Sequence, residues 1–243
     1  MTARLYCPMP LSAGAQIDLP ESAAHHAVRV LRLKRGEEVA LFNGEGGEFE
    51  ARIERIDTRA VGVQLGAWRD IDRESPLRVI LVQGLASGER MDYAIQKAVE
   101  LGVAAVQPVT AARSVTRLDA ARADKRIKHW QQIAISACEQ CGRNRVPDVM
   151  PPRDLGEWMA VPSTASLRLL LAPDAQGSLA GLPRPAGNIE FLVGPEGGLA
   201  PEETAAALQA GFAGVRLGPR ILRTETAALA ALSALNTLWG DWR

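Results

Sequence analysis

The sequence predicts an α/β protein with a mostly parallel sheet, preceded by a small β-rich domain. From residue 77 onward, short apolar runs alternate with helical patterns, which is typical of a parallel sheet with helices on both faces. Before residue 70, short runs with alternating polarity indicate a small β-barrel with one helix. Two glycine-containing loops near the C-terminus each follow a predicted strand, which is where ligands bind in such folds.

The composition is that of a folded protein with packed cores. The 243 residues are 47% hydrophobic and suffice for one large or two small domains. Apolar runs are too short to span a membrane, and the N-terminus lacks the apolar core of a signal peptide. We therefore expect a soluble, cytoplasmic protein.

The N-terminal domain is predicted to cover residues 1–70. Apolar residues alternate along Phe49–Ile56 and Val61–Leu65, as in half-buried strands. Val39–Phe42 forms a further strand, and Asn43–Gly44 after it is a hairpin signal. A helix fits Glu21–Leu31. Residues 71–76 are interpreted as a linker, and residues 77–243 as the second domain.

The second domain is predicted to alternate strands with helices. A helix covering Met91–Leu101 ends at Gly102, and a longer helix covers Asp119–Cys141. The predicted strands are Leu77–Val82, Ala105–Val109, Leu167–Ala172, Ile189–Val193 and Val215–Leu217.

The first of the two loops covers Gly194–Leu199. Its glycines permit positive φ and a close approach of the backbone to a ligand, while Pro195 stiffens the turn. Pro201 suits the first position of the following helix, which Gly211 would end.

The second loop covers Leu217–Ala227 and contains Pro219. Thr224 is predicted to cap the final helix, Glu225–Leu238. Either loop alone could be an ordinary strand-to-helix turn. Two similar loops so close together favour one pocket built from both.

The sequence also restricts the ligand. It contains neither a P-loop nor a dinucleotide-binding glycine fingerprint. The loops are apolar around their glycines, which suits a flat uncharged ring held by backbone groups better than a pyrophosphate.

Four motifs in a fixed order now indicate a family. The chain resembles the bacterial 16S ribosomal RNA uridine-N3 methyltransferases, within the SPOUT methyltransferase superfamily. The motifs run nearly from end to end: His25–Gly36, Gln96–Val103, Glu139–Gln140 with Arg143, and the loops Gly194–Gly198 and Leu217–Ala227.

The resemblance implies a fold and a cofactor. The fold would be a knotted C-terminal α/β domain with an N-terminal PUA-like, RNA-binding barrel, assembled as a homodimer without metal. S-adenosylmethionine would be the cofactor, and Glu196 would contact its ribose hydroxyls or its amine. The implied cofactor residues are Leu171, Ala172, Pro173, Val193, Gly194, Glu196, Gly198, Leu217, Gly218, Ile221, Leu222, Thr224 and Ala227.

The implied reaction is transfer of a methyl group to uracil N3 in small-subunit rRNA, within a small-subunit particle. Arg223, Glu139 and Arg143 are the predicted catalytic residues. A guanidinium at Arg223 would contact phosphate or uracil and favour the uracil anion; the alternative is an ion pair with Glu225 or another acidic residue of the loops. Glu139 and Arg143 would line the opposing wall, from the partner subunit, or else only cap a helix end. A side chain or a bound water removes the N3 proton.

RNA binding must come from local charge, because Lys+Arg and Asp+Glu both number 28. One basic cluster consists of Arg29, Arg32, Lys34 and Arg35. A second runs from Arg113 through Arg117 and Arg122 to Lys128. Solvated helix faces are the alternative interpretation. The predicted RNA-binding residues are Arg29, Arg32, Lys34, Arg35, Arg113, Gln140 and Arg145.

Cys138 and Cys141 form a C-x-x-C pair. The chain has three cysteines and three histidines, without a second such pair, so we expect reduced thiols rather than a zinc or redox site.

Two other functions are compatible with these motifs. One is an RNA-binding or ribosome-assembly factor that keeps the loops only as structure. The other is a SPOUT methyltransferase that acts on tRNA or on a ribose hydroxyl.

Overall fold

The computed structural model describes residues 2–115 and 120–242, without the side chains of residues 120–122. The predicted basic residues Arg117 and Arg122 and the predicted helix start at Asp119 thus lie outside the described residues or side chains. Two compact units are present: residues 1–74 with 135–146, and residues 75–134 with 147–243. The sequence-based division had placed 135–146 in the second domain.

The first unit contains a five-stranded sheet in the order β1-β3-β4-β5-β2. Strands β1 and β3 are parallel, and the other pairs are antiparallel. Its strands are β1 (Ala3–Tyr6), β2 (Gln16–Asp18), β3 (Glu38–Phe42), β4 (Glu48–Ile56) and β5 (Val61–Arg69).

The predicted helix of the first unit is present in two parts. Helix α1 covers Glu21–His25 and continues as a π-helical turn over His26–Val30. The predicted alternation is also confirmed, since Ala51 and Ile53 of β4 are buried while Arg52 between them is exposed. The buried residues of β3, β4, β5 and α1 form the core of this unit.

The second unit contains a seven-stranded sheet whose order is β12-β10-β11-β6-β7-β8, with β9 also paired to β7. All of its strand pairs in the described residues are parallel. Its strands are β6 (Val79–Gly84), β7 (Ala105–Thr110), β8 (Asp148–Val149), β9 (Arg153–Asp154), β10 (Leu167–Leu171), β11 (Ile189–Val193) and β12 (Ala213–Val215).

Among the described residues, five α-helices follow β6 in the sequence, and the last part of one of them, residues 135–141, belongs to the first unit. Gly102 and Gly211 have φ of 82° and 87° and follow α2 and α5, as predicted. The predicted cap at Thr224 is wrong: Arg223 occupies the N-cap position, and the Thr224 hydroxyl lies inside the first turn with other partners. The helices are α2 (Gly88–Glu100), α3 (Ala120–Cys141), α4 (Leu155–Met159), α5 (Pro201–Gln209) and α6 (Thr224–Trp239).

The short elements β8, β9 and α4 had no sequence signal, because runs of two to five residues show no periodicity. Among the described residues, no helix has the length and apolar character needed to cross a membrane.

Candidate functional site

Three loops at one edge of the second unit's sheet enclose a cavity of about 930 Å³. Strands β12, β10 and β11 are neighbours and parallel, so their carboxyl ends meet at this edge. The loops that follow them supply most of the walls: residues 172–176, 194–199 and 216–223.

Every residue predicted to hold the cofactor lies on the wall of this cavity. Leu171, Ala172 and Pro173 come from the end of β10, and Val193 to Gly198 come from the end of β11. The segment Leu217–Ala227 closes the third side. The structure therefore brings the set together in space, and its role in cofactor binding stays a prediction.

A buried hydrogen-bond chain connects the cavity loops. Gln83, at the end of β6, donates from Nε2 to Thr224 Oγ1 at 2.8 Å. Thr224 Oγ1 in turn donates to the carbonyl oxygen of Gly194 at 2.6 Å. Gln83 is fully buried and Thr224 nearly so. One hydroxyl thus fixes the start of α6 to the loop after β11.

Gly84 allows the loops to approach this closely. A Cβ at Gly84 would overlap the backbone nitrogen of Pro195 and the adjoining carbonyl carbon of Gly194. A larger residue there would therefore push the β11 loop away from the end of β6.

Glu196 has a well-defined place in the cavity wall. Its Oε1 accepts hydrogen bonds from the Ser87 backbone N–H at 2.8 Å and from the Ser87 hydroxyl at 2.7 Å. Burial raises the pKa of Glu196, but the hydrogen bonds from Ser87, together with the Glu196 backbone N–H and the charge of Arg90, bring the pKa below its ordinary value. The Oε2 atom is buried without a hydrogen-bond partner in the described part of the chain.

The cavity walls are rich in arginine. Four arginines of the wall are exposed, whereas Arg90 pairs with Glu196 at 3.3 Å. The only acidic residues on the described wall are Asp174 and Glu196. The arginines that line it are Arg90, Arg113, Arg216, Arg220 and Arg223.

Sequence reasoning missed Arg90, Arg216, Arg220, Asp174 and Gln176 as wall residues. Arg90 lies in the first turn of α2, which follows β6, and only the pairing of β6 with β11 brings that helix start to the cavity. Arg220 lies within the predicted loop Leu217–Ala227, and Arg216, Asp174 and Gln176 flank the predicted segments; no sequence signal singled out these polar residues.

Arg223 is exposed and makes no ion pair with Glu225 within residues 2–115 and 120–242. Glu225 Oε2 is itself buried without a partner among these residues. The structure therefore leaves the Arg223 guanidinium available at the cavity wall.

Glu139 and Arg143 belong to the first unit and are absent from the described cavity wall. Glu139 accepts a hydrogen bond from the Tyr6 backbone N–H at 3.0 Å and pairs with His26 Nδ1 at 2.9 Å. Burial raises the pKa of Glu139 against the opposing effect of these contacts. Arg143 is buried and pairs with Glu74. Their catalytic role stays a prediction.

The predicted RNA-binding residues are all exposed. Arg113 is also part of the cavity wall and donates to the Gly197 carbonyl oxygen at 3.3 Å. Arg32 has a φ of 57°, which is uncommon for a residue other than glycine. The others are Arg29, Lys34, Arg35, Gln140 and Arg145.

The three cysteines are free thiols. Burial raises the pKa of both Cys7 and Cys138 to about 12, so these thiols stay protonated at neutral pH. The described residues contain no group of three or more metal-ligating side chains.

Comparison with known proteins agrees with this fold. Residues 73–236 match the model of an RNA methyltransferase domain, and residues 19–65 match that of an RNA methyltransferase PUA domain. The chain therefore belongs to the RNA methyltransferase family that these models describe. The predicted α/β architecture with a PUA-like N-terminal domain is confirmed.

Individual relatives are similar over nearly their whole length. The ribosomal RNA small subunit methyltransferase E of Buchnera aphidicola (from Schizaphis graminum) is 33% identical over 98% of this chain and 97% of its own. That of Bacillus subtilis is 34% identical over 87% of this chain and 86% of its own. The crystal structure of that of Neisseria gonorrhoeae bound to S-adenosyl methionine is 43% identical, with a TM-score of 0.93 and full coverage of both chains.

Proposed function

We propose that this protein transfers the methyl group of S-adenosylmethionine to N3 of a uridine in 16S ribosomal RNA. The observation that carries the proposal is the cavity at the ends of β10, β11 and β12, which gathers every residue predicted to contact the cofactor. The N. gonorrhoeae relative, whose name states small-subunit rRNA methylation, was crystallised with that cofactor.

The groups that line the cavity fit the chemistry of the cofactor. Backbone groups of Gly194, Gly198 and Gly218 and apolar side chains would hold the adenine ring. The buried, unpartnered Oε2 of Glu196 lacks a donor, which a ribose hydroxyl or the cofactor amine would supply. Bound there, the cofactor supplies an electrophilic methyl group on a sulfonium.

The arginine-rich wall fits the substrate rather than the cofactor. S-adenosylmethionine has two cationic groups and one carboxylate, so its net charge is positive. A wall with five arginines and two acidic residues would repel rather than attract that charge. An RNA backbone and an ionised uracil are anionic. Arg223 would favour the N3 anion by proximity of opposite charge, and the cavity would align acceptor and methyl group for displacement.

The proposal includes an RNA-binding role for the N-terminal domain and a homodimeric active form. Residues 1–70 would bind RNA, and the active form would be a homodimer that acts in the cytoplasm on a small-subunit particle. Glu139 and Arg143 would reach the reaction from the partner subunit. Their partners in the structure, His26, Tyr6 and Glu74, equally favour a role in holding the first unit together.

The substrate is tested by digesting 16S rRNA to nucleosides from cells with and without the protein. We expect 3-methyluridine in the wild type and its loss in the deletion strain. Persistence of 3-methyluridine in the deletion strain would overturn the assignment of 16S rRNA as the substrate. If a methylated nucleoside were lost from tRNA instead, the protein would be a tRNA methyltransferase.

The site is tested with Arg223→Ala. We expect turnover to fall by at least about 100-fold while S-adenosylhomocysteine affinity changes less than about threefold, because electrostatic stabilisation of a developing charge acts on the transition state. Arg184→Ala is the control, since Arg184 is exposed and outside the described cavity wall. Equal losses in both measurements would place Arg223 in the cofactor site. Absence of cofactor binding by the folded wild type would favour a non-catalytic assembly factor.

A further inference from the structure

The turn between β3 and β4 supports three side chains of the first unit. Its glycines Gly44, Gly46 and Gly47 have φ of 93°, 105° and 63°. Residues other than glycine rarely adopt this backbone conformation. Each of them is in contact with a side chain from elsewhere in the unit. These three positions and the side chains resting on them form what we call the glycine ledge.

Trp68, near the end of β5, rests on Gly47. A Cβ at Gly47 would lie 2.6 Å from Trp68 Nε1 and 2.7 Å from Cε2, so only glycine lets the indole approach this closely. The side chain is nevertheless 51% exposed. The ring is therefore supported by backbone and still accessible, which is an arrangement suited to stacking.

Arg145 rests on the neighbouring position. A Cβ at Gly46 would lie 2.9 Å from Arg145 Nη2. Because Gly46 and Gly47 are consecutive, the guanidinium and the indole are supported by adjacent backbone positions. Tyr6 lies against Gly44, with its Cε2 3.4 Å from where a Cβ would be. The ledge thus combines two aromatic rings with one cation.

The acidic residues around the ledge are mostly neutralised. Glu48 pairs with Arg4, Glu50 with Arg69 and Glu74 with Arg143. Glu45 is exposed on the turn, where its carboxylate accepts a hydrogen bond from Asn43 Nδ2 at 3.1 Å. Arg145 forms no ion pair in the described part of the chain. Its positive charge remains available to an anionic partner.

We propose that the glycine ledge binds a single-stranded segment of the RNA substrate, with a base stacked on Trp68 and a phosphate on Arg145. Exposed aromatic rings beside guanidinium groups are the elements with which proteins hold unpaired nucleotides. Aromatic residues are only 5% of the chain, so one stacking position is expected rather than an extended platform. The inference rests on the proposed function only in taking RNA as the ligand.

The test compares Trp68→Ala with Trp242→Ala, a matched control because Trp242 is 49% exposed and belongs to the second unit. Binding is measured by filter retention of purified 16S rRNA from the deletion strain and by fluorescence anisotropy of a dye-labelled short oligouridylate. We expect Trp68→Ala to weaken rRNA binding about tenfold, since removal of a stacking ring has an effect of that order. Trp242→Ala should bind as the wild type does.

Further variants separate stacking from folding. Trp68→Phe retains a ring and should recover most of the affinity, while S-adenosylhomocysteine binding should be unchanged in all of these variants. Arg145→Gln should reduce the slope of log affinity against log salt by about 0.7, the value for one phosphate contact on single-stranded nucleic acid. Glu45→Gln should strengthen binding modestly by removing a nearby negative charge.

Two results would overturn the proposal. The first is wild-type affinity of Trp68→Ala for naked rRNA and oligouridylate. The second is unchanged RNA binding with reduced methylation of the intact small-subunit particle, which would make the ledge a protein-binding surface. Failure of methyl transfer by a wild-type protein that still binds RNA through Trp68 would instead refute the proposed function alone.

Discussion

Glu196 satisfies only part of its hydrogen-bonding capacity within the described residues. Ser87 donates twice to Oε1, which fixes the carboxylate at the cavity wall, whereas Oε2 has no partner among the described residues. A buried acceptor without a donor is unfavourable in the absence of ligand. This asymmetry makes Glu196 the residue whose substitution reports most directly on cofactor binding.

Glu196→Gln should weaken S-adenosylhomocysteine binding by about tenfold, the order expected for one hydrogen bond to a charged group. Calorimetry with 5′-methylthioadenosine distinguishes the two assignments, because this compound retains the ribose hydroxyls and lacks the amine. An equal loss for both compounds indicates a ribose contact, and a loss for S-adenosylhomocysteine alone indicates an amine contact. Unchanged affinity for both would remove Glu196 from the cofactor site.

The same substitution should alter the response to acid. The folded-state pKa of Glu196 is lowered, so its ionised form stabilises the fold above the pKa of the unfolded chain, and this contribution is lost as pH falls through the folded-state value. The free energy of unfolding should therefore decline less steeply below about pH 4.5 in Glu196→Gln than in the wild type. Denaturant titrations at several pH values measure this difference.

At the scale of elements, the cavity depends on one hydroxyl between β6, the loop after β11 and helix α6. Thr224 Oγ1 both accepts from Gln83 and donates to Gly194. The three elements are separated by long stretches of sequence, so this contact fixes their ends against one another. Gly84 assists because its lack of a side chain lets the Pro195 turn lie directly beside it.

Thr224→Val should lower the free energy of unfolding by about 1–3 kcal/mol, because it preserves shape while removing one hydrogen bond from the buried Gln83 amide and the hydroxyl donor from the Gly194 carbonyl. S-adenosylhomocysteine affinity should fall as well, since the loop after β11 loses its attachment. Thr224→Ser is the control and should stay within about 1 kcal/mol of the wild type in urea unfolding. Equal stability of Thr224→Val and the wild type would mean that the hydroxyl does not hold these elements.

At the scale of the molecule, charge is balanced overall and concentrated locally. The 28 basic and 28 acidic residues give a formal net charge of zero. Long-range attraction of RNA is therefore weak, and binding must depend on arginines at particular places. We propose the cavity wall, with five arginines and two acidic residues, as one such place.

RNA affinity should accordingly fall as the salt concentration rises, with a slope set by a small number of contacts between arginines and phosphates. Arg220→Gln should reduce the slope of log affinity against log salt by about 0.7–0.9, corresponding to one phosphate. Arg184→Gln, outside the described cavity wall, should leave the slope unchanged. Identical slopes in both variants and the wild type would show that Arg220 does not contact the RNA backbone.

Much of the cavity could be predicted from sequence because its residues lie in contiguous loops. Glycine and proline positions indicated where the strands end. Matching the family motifs in order along the chain then identified the cavity segments Leu171–Pro173, Val193–Gly198 and Leu217–Ala227. Arg90 could not be found in this way. It joins the wall through the pairing of β6 with β11, and strand order is not encoded in local periodicity.

The sequence alone determined the fold class, the alternation of strands and helices, and the loops that form the cavity, because these follow from backbone preferences and hydrophobic periods over a few residues. Only the tertiary structure decided that Thr224 links three elements rather than capping one, and that residues 135–146 pack with the first unit. The physical reason is that both depend on contacts between distant residues. Tyr6 and Glu139 form one such contact, and Gln83 and Thr224 form another.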